Sequence, residues 1–360
     1  MHWMFASMTD TALPSISEKN NPRLRPVLSV RHLNINLKTD SDDVAIVKNV
    51  SFDIHPGQTL ALVGESGAGK SITSLAIMRL VGRGGNEEGA HVSGEILLGT
   101  DQGIIDLIQA PLSTIQMLRG KALSMVFQEP MTSLNPVFRV GWQIAEAIVT
   151  HEKLSWAAAE ARALDMLKLV GIPDPLARMR AFPHELSGGM RQRIMVAMAL
   201  ACRPSLLIAD EPTTALDVTV QAQVLNLIKQ LQGEFGIGML FITHDLGVVA
   251  QMADTVAVMY AGSIVEHTNV QRIFSQPLHP YTSALLRSMP NLTYDSAGTL
   301  LEPIRGAMPA MHDLPKGCSF HPRCDLALSP RCTTTNIPLS ELSEHHWVRC
   351  VRLEPSKCER

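Results

Sequence analysis

Aromatic residues and net charge are both scarce in this sequence. Phe, Trp and Tyr make up 4% of the 360 residues, and 31 basic residues are balanced by 34 acidic ones. Proteins that bind the phosphate backbone of nucleic acid normally carry a basic excess on one face, so we expect no nucleic-acid partner. A length of 360 residues allows one large α/β domain plus something smaller, or two domains, and a hydrophobic content of 46% suits a globular core.

Long apolar runs are absent as well. The most apolar segment spans residues 236–262, and His244, Asp245 and Asp254 interrupt it. A membrane-spanning helix needs about 20 apolar residues in succession. Residues 1–5 do not combine a charged start with an apolar stretch, so a secretory signal is not expected. We therefore expect the chain to remain in the cytoplasm.

Cysteine is rare over most of the chain and crowded near its end. Cys202 stands alone in an apolar segment, where a buried structural thiol is expected. The others are Cys318, Cys324, Cys332, Cys350 and Cys358. Because cytoplasmic thiols stay reduced, this cluster favours a bound metal over disulfides.

Hydrophobic periodicity predicts alternating strands and helices. The predicted strands are 27–37, 44–54, 59–63, 122–127, 205–209, 238–243 and a pair within 254–267. The predicted helices are 71–80, 157–170, 190–201 and 218–231, with a helix-rich segment at about 134–200. The short apolar runs are typical of parallel strands buried on both faces.

A glycine-rich motif lies between the strand at 59–63 and the helix that follows. Residues 64–71 read Gly-Glu-Ser-Gly-Ala-Gly-Lys-Ser, which fits the phosphate-binding P-loop in its strand–loop–helix context. Glycines let backbone N–H groups surround phosphate oxygens, and the helix adds its positive end. The predicted nucleotide-binding residues are Gly64, Ser66, Gly67, Gly69, Lys70 and Ser71.

Two acidic residues end the apolar strand near position 209. Asp210 is predicted to hold Mg²⁺ through water, together with the Ser71 hydroxyl. Glu211 is the candidate base that polarises the attacking water. A solvated acidic pair at a loop is the alternative interpretation.

A second glycine motif precedes that strand. Ser187, Gly188 and Gly189 open a helix, which would provide a second phosphate-binding cap; a plain turn is the alternative. In this order the motifs resemble ATP-binding cassette (ABC) ATPases, and ATP and Mg²⁺ are the implied cofactors. The resemblance implies that Gln128 senses Mg²⁺ and the permease, that Asp217 lies at a dimer interface, and that His244 contacts the γ-phosphate.

Three segments resemble the dipeptide/oligopeptide/nickel importer group of this family. They are residues 127–136, residues 279–286 and the cysteine tail. The resemblance implies a homologous ATPase partner, two transmembrane permease subunits and an extracytoplasmic solute-binding protein. It places the chain at the cytoplasmic face of the inner membrane, powering uptake of di- or oligopeptides. Nickel, glutathione or another small solute, and a non-transport ABC ATPase, are the alternatives.

The same resemblance implies a [4Fe–4S] cluster on Cys318, Cys324, Cys332 and Cys350. Their separations of 5, 7 and 17 residues differ from the paired spacing of structural zinc sites. Four thiolates suit either iron–sulfur or zinc chemistry, and a tail without metal is the third possibility.

The implied fold class is α/β, a P-loop ABC ATPase core with an inserted helical subdomain and a small C-terminal cysteine-bearing domain. The predicted parts are a flexible extension at 1–26, an ABC nucleotide-binding domain at 27–289, a linker at 290–311 and a cysteine-cluster domain at 312–360. No aromatic residue stands near Val44, where the family stacks the adenine base, so only apolar contact is expected there.

Overall fold

The computed structural model describes residues 25–38, 43–81, 89–128, 133–214, 216–289, 303–334 and 336–353. The strands are β1 Leu28–Lys38, β2 Asp43–Ile54, β3 Thr59–Val63, β4 Ala90–Thr100, β5 Gly103–Asp106, β6 Leu123–Val126, β7 Leu206–Asp210, β8 Gly238–Thr243, β9 Thr255–Tyr260, β10 Ser263–Asn269, β11 Ser340–Ser343 and β12 His346–Val348. The helices are α1 Lys70–Ile77, α2 Leu112–Leu118, α3 Val140–Glu152, α4 Trp156–Leu169, α5 Pro175–Arg178, α6 Gly188–Leu200, α7 Val218–Phe235, α8 Leu246–Met252, α9 Val270–Ser275, α10 Pro280–Arg287 and α11 Arg331–Thr334. None of these helices is both long and apolar enough to cross a membrane.

The larger sheet has the order β11-β12-β10-β9-β3-β8-β7-β6. Its strands β9, β3, β8, β7 and β6 run parallel. Every residue of β3, β7 and β8 is buried, as expected for a parallel sheet covered on both faces. Because parallel strands share an end, the residues that follow Val63, Val126, Asp210 and Thr243 meet at one edge of this sheet.

The second sheet is antiparallel, in the order β2-β1-β4-β5. Its apolar side chains share one core with those of the parallel sheet, as shown by Leu28, Ile96, Leu60 and Ile242. Strands β4 and β5 and helix α2 were not predicted. Strand β4 carries Ser93, Gly94 and Glu95 at its centre and is largely exposed there, so its apolar alternation is broken.

Between β6 and β7 the described chain is helical. Helices α3, α4 and α6 bury Ile144, Ala163 and Met195 in a core that also receives Phe241 of β8. The predicted helices 157–170 and 190–201 agree with α4 and α6 to within two residues. Asn135 and Phe138, just before α3, are held by Gln143, whose side chain accepts a hydrogen bond from the Asn135 N–H and donates to the Phe138 carbonyl.

The C-terminal segment adds a hairpin, formed by β11 and β12, to the edge of the larger sheet. Strand β12 pairs antiparallel with β10, with Glu266 opposite Val348. The Glu266 side chain is fully buried and accepts hydrogen bonds from the Leu278 and His279 N–H groups at 2.8 and 2.9 Å. His346 Nε2 lies 2.8 Å from the same carboxylate. A buried carboxylate that is satisfied in this way fastens the hairpin and the start of α10 to the sheet.

The imidazole of His279 gives the fold a dependence on pH. It caps α10 by accepting the Tyr281 N–H at 3.1 Å, and burial lowers its pKa from 6.5 to about 3. Below pH 6.5 the unfolded chain therefore takes up a proton that the folded chain refuses, and stability falls as the pH falls towards 3. Lowering the pH from 7 to 5 should cost about 2 kcal/mol through this residue alone.

A His279→Asn variant keeps a capping side chain but does not titrate. Urea unfolding of both proteins at pH 7 and pH 5 should show a pH effect smaller by about 2 kcal/mol in the variant. An equal pH effect in both proteins would rule out this role for His279.

Candidate active site

The P-loop connects β3 to α1 along a path that only glycine permits at two positions. A Cβ atom on Gly64 would collide with the Met259 carbonyl oxygen. Gly69 has φ of +102°, and a Cβ there would lie 2.9 Å from Met259 Cε and 3.2 Å from the Ile46 carbonyl oxygen. Strands β2 and β9 therefore crowd the loop. A side chain at Gly64 would displace the β9 backbone, and one at Gly69 would strain its own backbone conformation.

Lys70 begins α1 and is only 5% exposed. Its Nζ donates hydrogen bonds to the carbonyl oxygens of Gly64 and Glu65 at 2.8 and 3.0 Å. Burial lowers the pKa of Lys70, while the nearby carboxylates of Glu211, Asp210 and Glu65 act in the opposite direction. The ammonium group is thus held inside the loop by oxygen atoms that phosphate oxygens could replace.

Asp210 ends β7 beside this helix. It is 4% exposed, and its Oδ1 accepts a hydrogen bond from Ser71 Oγ at 3.2 Å. Its Oδ2 accepts one from Ser74 Oγ at 3.4 Å. Burial raises the pKa of Asp210, and the two hydroxyl groups oppose that shift. Carboxylate and hydroxyl oxygens are hard ligands, so this donor set fits Mg²⁺. Ser74 was not predicted, although it lies one α-helical turn after the P-loop serine.

The Glu211 carboxylate contacts side chains from the loops that follow three different strands. Its Oε1 lies 3.0 Å from His244 Nδ1, and its Oε2 accepts hydrogen bonds from Gln128 Nε2 and Thr214 Oγ1, both at 3.1 Å. Burial favours a higher pKa for Glu211, but the hydrogen bond and charge of His244, the Thr214 hydroxyl and Lys70 outweigh it, and the net pKa is lowered. Glu211 has φ of +44°, an uncommon backbone conformation that is often found at functional sites. The structure thus brings the predicted residues Gln128, Glu211 and His244 into direct contact.

The predicted Ser187 and Asp217 both cap helices. Ser187 Oγ accepts the Met190 N–H at 3.3 Å at the start of α6. Asp217 Oδ1 accepts the Thr219 and Val220 N–H groups at 3.1 and 3.0 Å at the start of α7.

The starts of these two helices pack closely, because a Cβ on Gly189 would lie 2.7 Å from Val220 Cγ1. Ser187 and Gly188 remain exposed. Ala215 lies outside the described residues, as do residues 129–132 of the segment 127–136 that resembles the peptide importers.

The prediction of a [4Fe–4S] cluster is wrong. Cys318, Cys324, Cys332 and Cys350 line one small cavity as free thiols, but in the described part of the chain no group of three or more His, Cys, Asp or Glu residues is placed to hold a metal ion. Burial, and then the proximity of the other thiols, raises the pKa of Cys318 to about 11. The four thiols thus lie close to one another, but they are not placed as metal ligands. Cys358 lies outside the described residues.

Comparison with known families agrees with this site. Residues 47–214 match the ABC transporter family, and these residues include the P-loop, Gln128, Ser187 and Glu211. Residues 265–332 match the oligopeptide/dipeptide transporter C-terminal region. That second match contains α10 and three of the clustered cysteines, Cys318, Cys324 and Cys332.

Individual proteins are similar over most of the chain. The oligopeptide transport ATP-binding protein OppD of Bacillus subtilis is 49% identical over 333 residues, which cover 92% of this chain and 90% of OppD. The dipeptide transport ATP-binding protein DppD of the same organism is 49% identical over 301 residues, which cover 84% of this chain and 87% of DppD. Among solved structures, cbiO1 from Clostridium perfringens is 27% identical with a TM-score of 0.57, covering 70% of this chain and 91% of cbiO1. The α/β fold of a P-loop ABC ATPase is therefore confirmed, and the chain belongs to the ABC transporter ATP-binding proteins that carry the oligopeptide/dipeptide transporter C-terminal region.

Proposed function

We propose that this chain hydrolyses ATP to power the import of di- or oligopeptides through a membrane ABC transporter. The observation that carries the hydrolytic part is the contact of Glu211 with Gln128, His244 and Thr214 beside the Lys70 loop. The peptide part rests on similarity to relatives that are named as oligopeptide and dipeptide transport ATP-binding proteins.

In this proposal each site residue has a distinct role. Lys70 releases the Gly64 and Glu65 carbonyl groups and binds the β- and γ-phosphates. The backbone N–H groups of residues 66–71 bind the remaining phosphate oxygens. Ser71, Asp210 and Gln128 hold Mg²⁺, which supplies neutralisation of the phosphate charge. His244 contacts the γ-phosphate, and Val44 offers the adenine an apolar contact from the partly buried strand β2.

Glu211 accepts a proton from the attacking water in the proposed reaction. Glu211→Gln keeps the size of the side chain and one acceptor oxygen but removes its charge and its basicity. Turnover of the assembled transporter should fall by about 100-fold or more, the usual effect of losing a general base, while ATP affinity is retained. Phosphate release and nucleotide binding measure the two quantities. Turnover within a few-fold of the parent protein would contradict the assignment.

We further propose that the complete site forms between two ATPase chains. The Ser187 motif begins α6 and is exposed, whereas Lys70 begins α1 and is buried. An exposed helix start is suited to bind the phosphate of a nucleotide held by another chain, because the first N–H groups of a helix have no acceptor within the helix. A homologous ATPase subunit is the proposed partner, with Asp217 near the interface. Bound ATP would shift the population from separated chains to the closed pair.

Ser187→Ala tests the shared site. It should lower turnover of the assembled complex by about 100-fold, as for loss of a donor to a developing charge, and leave ATP binding by the isolated chain unchanged. The matched control is Ser155→Ala, because Ser155 caps α4 in the same way by accepting the Ala158 N–H. The control should lose only cap stability, about 1 kcal/mol. Equal loss of turnover in both variants would attribute the effect to helix capping and overturn the shared site.

The helices between β6 and β7 are the proposed inserted subdomain that meets the permease. Phe138 stacks on Trp142 with ring centroids 4.4 Å apart, and Trp142 contacts Trp156 at 5.8 Å. Val137, Phe138 and Trp156 are 69%, 41% and 38% exposed. Exposed aromatic and apolar side chains that cluster in this way suit a protein interface.

The proposed assembly contains two transmembrane permease subunits and an extracytoplasmic solute-binding protein, with this chain peripheral at the cytoplasmic face of the inner membrane. Residues 312–360 are the proposed C-terminal cysteine-bearing domain. Nickel, glutathione or another small solute is the alternative cargo.

Uptake by the complete transporter in proteoliposomes tests the cargo. With ATP enclosed on the cytoplasmic side, a labelled dipeptide or tripeptide should accumulate, and the Glu211→Gln complex should accumulate about 100-fold less. Uptake of Ni²⁺ or glutathione in place of peptide would replace the proposed solute and leave the ATPase assignment intact.

A further inference from the structure

Arg323 links the C-terminal segment to the P-loop. It ends the short 3₁₀ helix His321–Arg323, and its side chain is 6% exposed. Its Nη1 donates to Glu65 Oε1 and Oε2 at 3.0 and 3.2 Å, and its Nη2 donates to Oε2 at 3.2 Å. Glu65 is the second residue of the P-loop. A paired arrangement of this kind has the geometry in which guanidinium–carboxylate contacts are strongest.

The remaining donors of Arg323 are also used. Its Nε and Nη2 donate to the carbonyl oxygens of Arg305 and Gly306 at 2.8 and 3.2 Å. Its guanidinium carbon lies 5.8 Å from the ring centroid of Tyr260 and 5.9 Å from that of Phe320. These contacts therefore fix both the orientation of the Arg323 side chain and its burial.

Glu65 is held from three directions. Its N–H donates to Tyr281 Oη at 3.0 Å, its carbonyl oxygen accepts from Lys70 Nζ at 3.0 Å, and its carboxylate receives Arg323. A second residue of the C-terminal segment covers the loop, since a Cβ on Gly67 would lie 3.0 Å from Met308 Cε. The phosphate-binding loop is thus fastened to residues that lie outside the match to the ABC transporter family.

We propose that Arg323 is a positioning residue for nucleotide binding, a role that rests on the proposed phosphate site at Lys70. The guanidinium neutralises Glu65 and directs its carboxylate away from the site. Without Arg323, an unpaired and partly buried carboxylate would repel the phosphates and would compete with them for the Lys70 ammonium group. Affinity for ATP should therefore depend on the C-terminal segment, although Arg323 does not touch the reacting atoms.

Arg323→Gln should raise the Kd and KM for MgATP by about tenfold or more, within the ~5- to 150-fold range of coupling between separate sites. The kcat at saturating ATP should change much less. The matched control is Arg305→Gln, because Arg305 is on the same segment but its side chain is 84% exposed. The probe is MgATP itself, with binding measured by calorimetry and turnover measured on the assembled transporter. Thermal unfolding of each variant shows whether it is folded.

Glu65→Gln separates the charge effect from general loosening of the tail. In the Glu65→Gln background, adding Arg323→Gln should change the Kd by less than about twofold, because the repelling charge is already gone. An equal effect of Arg323→Gln with and without Glu65 would overturn the proposal, as would an unchanged Kd in the folded single variant. Failure of the unaltered protein and of Arg305→Gln to bind MgATP would instead refute the phosphate site itself.

Discussion

The buried ammonium group of Lys70 is the charge around which the site is arranged. A buried cation needs oxygen partners, and Lys70 takes them from the loop that it belongs to, at Gly64 and Glu65. The carboxylates of Glu211, Asp210 and Glu65 favour its charged form, and Glu211 in turn raises the pKa of Asp210. A nucleotide adds further negative charge to this acidic surrounding. In the proposed function, a divalent cation beside Asp210 and Ser71 would offset this negative charge.

The P-loop is contacted from one side by residues at the sheet edge and from the other side by residues of the C-terminal segment. Parallel strands bring Asp210 and His244 to the P-loop because their ends coincide. Tyr281 and Arg323 come from the other side, where strand β12 pairs with β10 and the buried Glu266 fastens the hairpin. Residues outside the ATPase family match therefore support the loop at its first turn. This support gives a physical reason for the C-terminal segment to fold against the catalytic core rather than as an independent unit.

The sequence was informative where one local pattern determines the structure. The buried strands 59–63 and 238–243 were predicted with their observed bounds, because an unbroken apolar run between polar turns has few other interpretations. The residues around Glu211 could be assigned only because the family order of motifs was recognisable. Strands β11 and β12 were missed. Strand β12 pairs with β10 over a long sequence separation without a local signal, and β11 pairs with β12. The contact of Arg323 with Glu65 joins residues 258 positions apart, so no local pattern predicts it. The spacing of the cysteines in the sequence does not determine the distances between their sulfur atoms.

In the proposed mechanism, the hydrogen bonds of Glu211 would make a single chain in this conformation a poor catalyst. A general base works best when its pKa lies near the working pH, yet the contacts with His244, Thr214 and Lys70 hold the pKa of Glu211 below its ordinary value. Burial acts in the opposite direction, so release of His244 towards a γ-phosphate would remove a stabilising partner and raise the basicity of the carboxylate. Gln128 occupies the second oxygen, and its movement would free that oxygen for water. In the proposed mechanism, nucleotide and partner chain therefore activate Glu211 by taking over the side chains that restrain it.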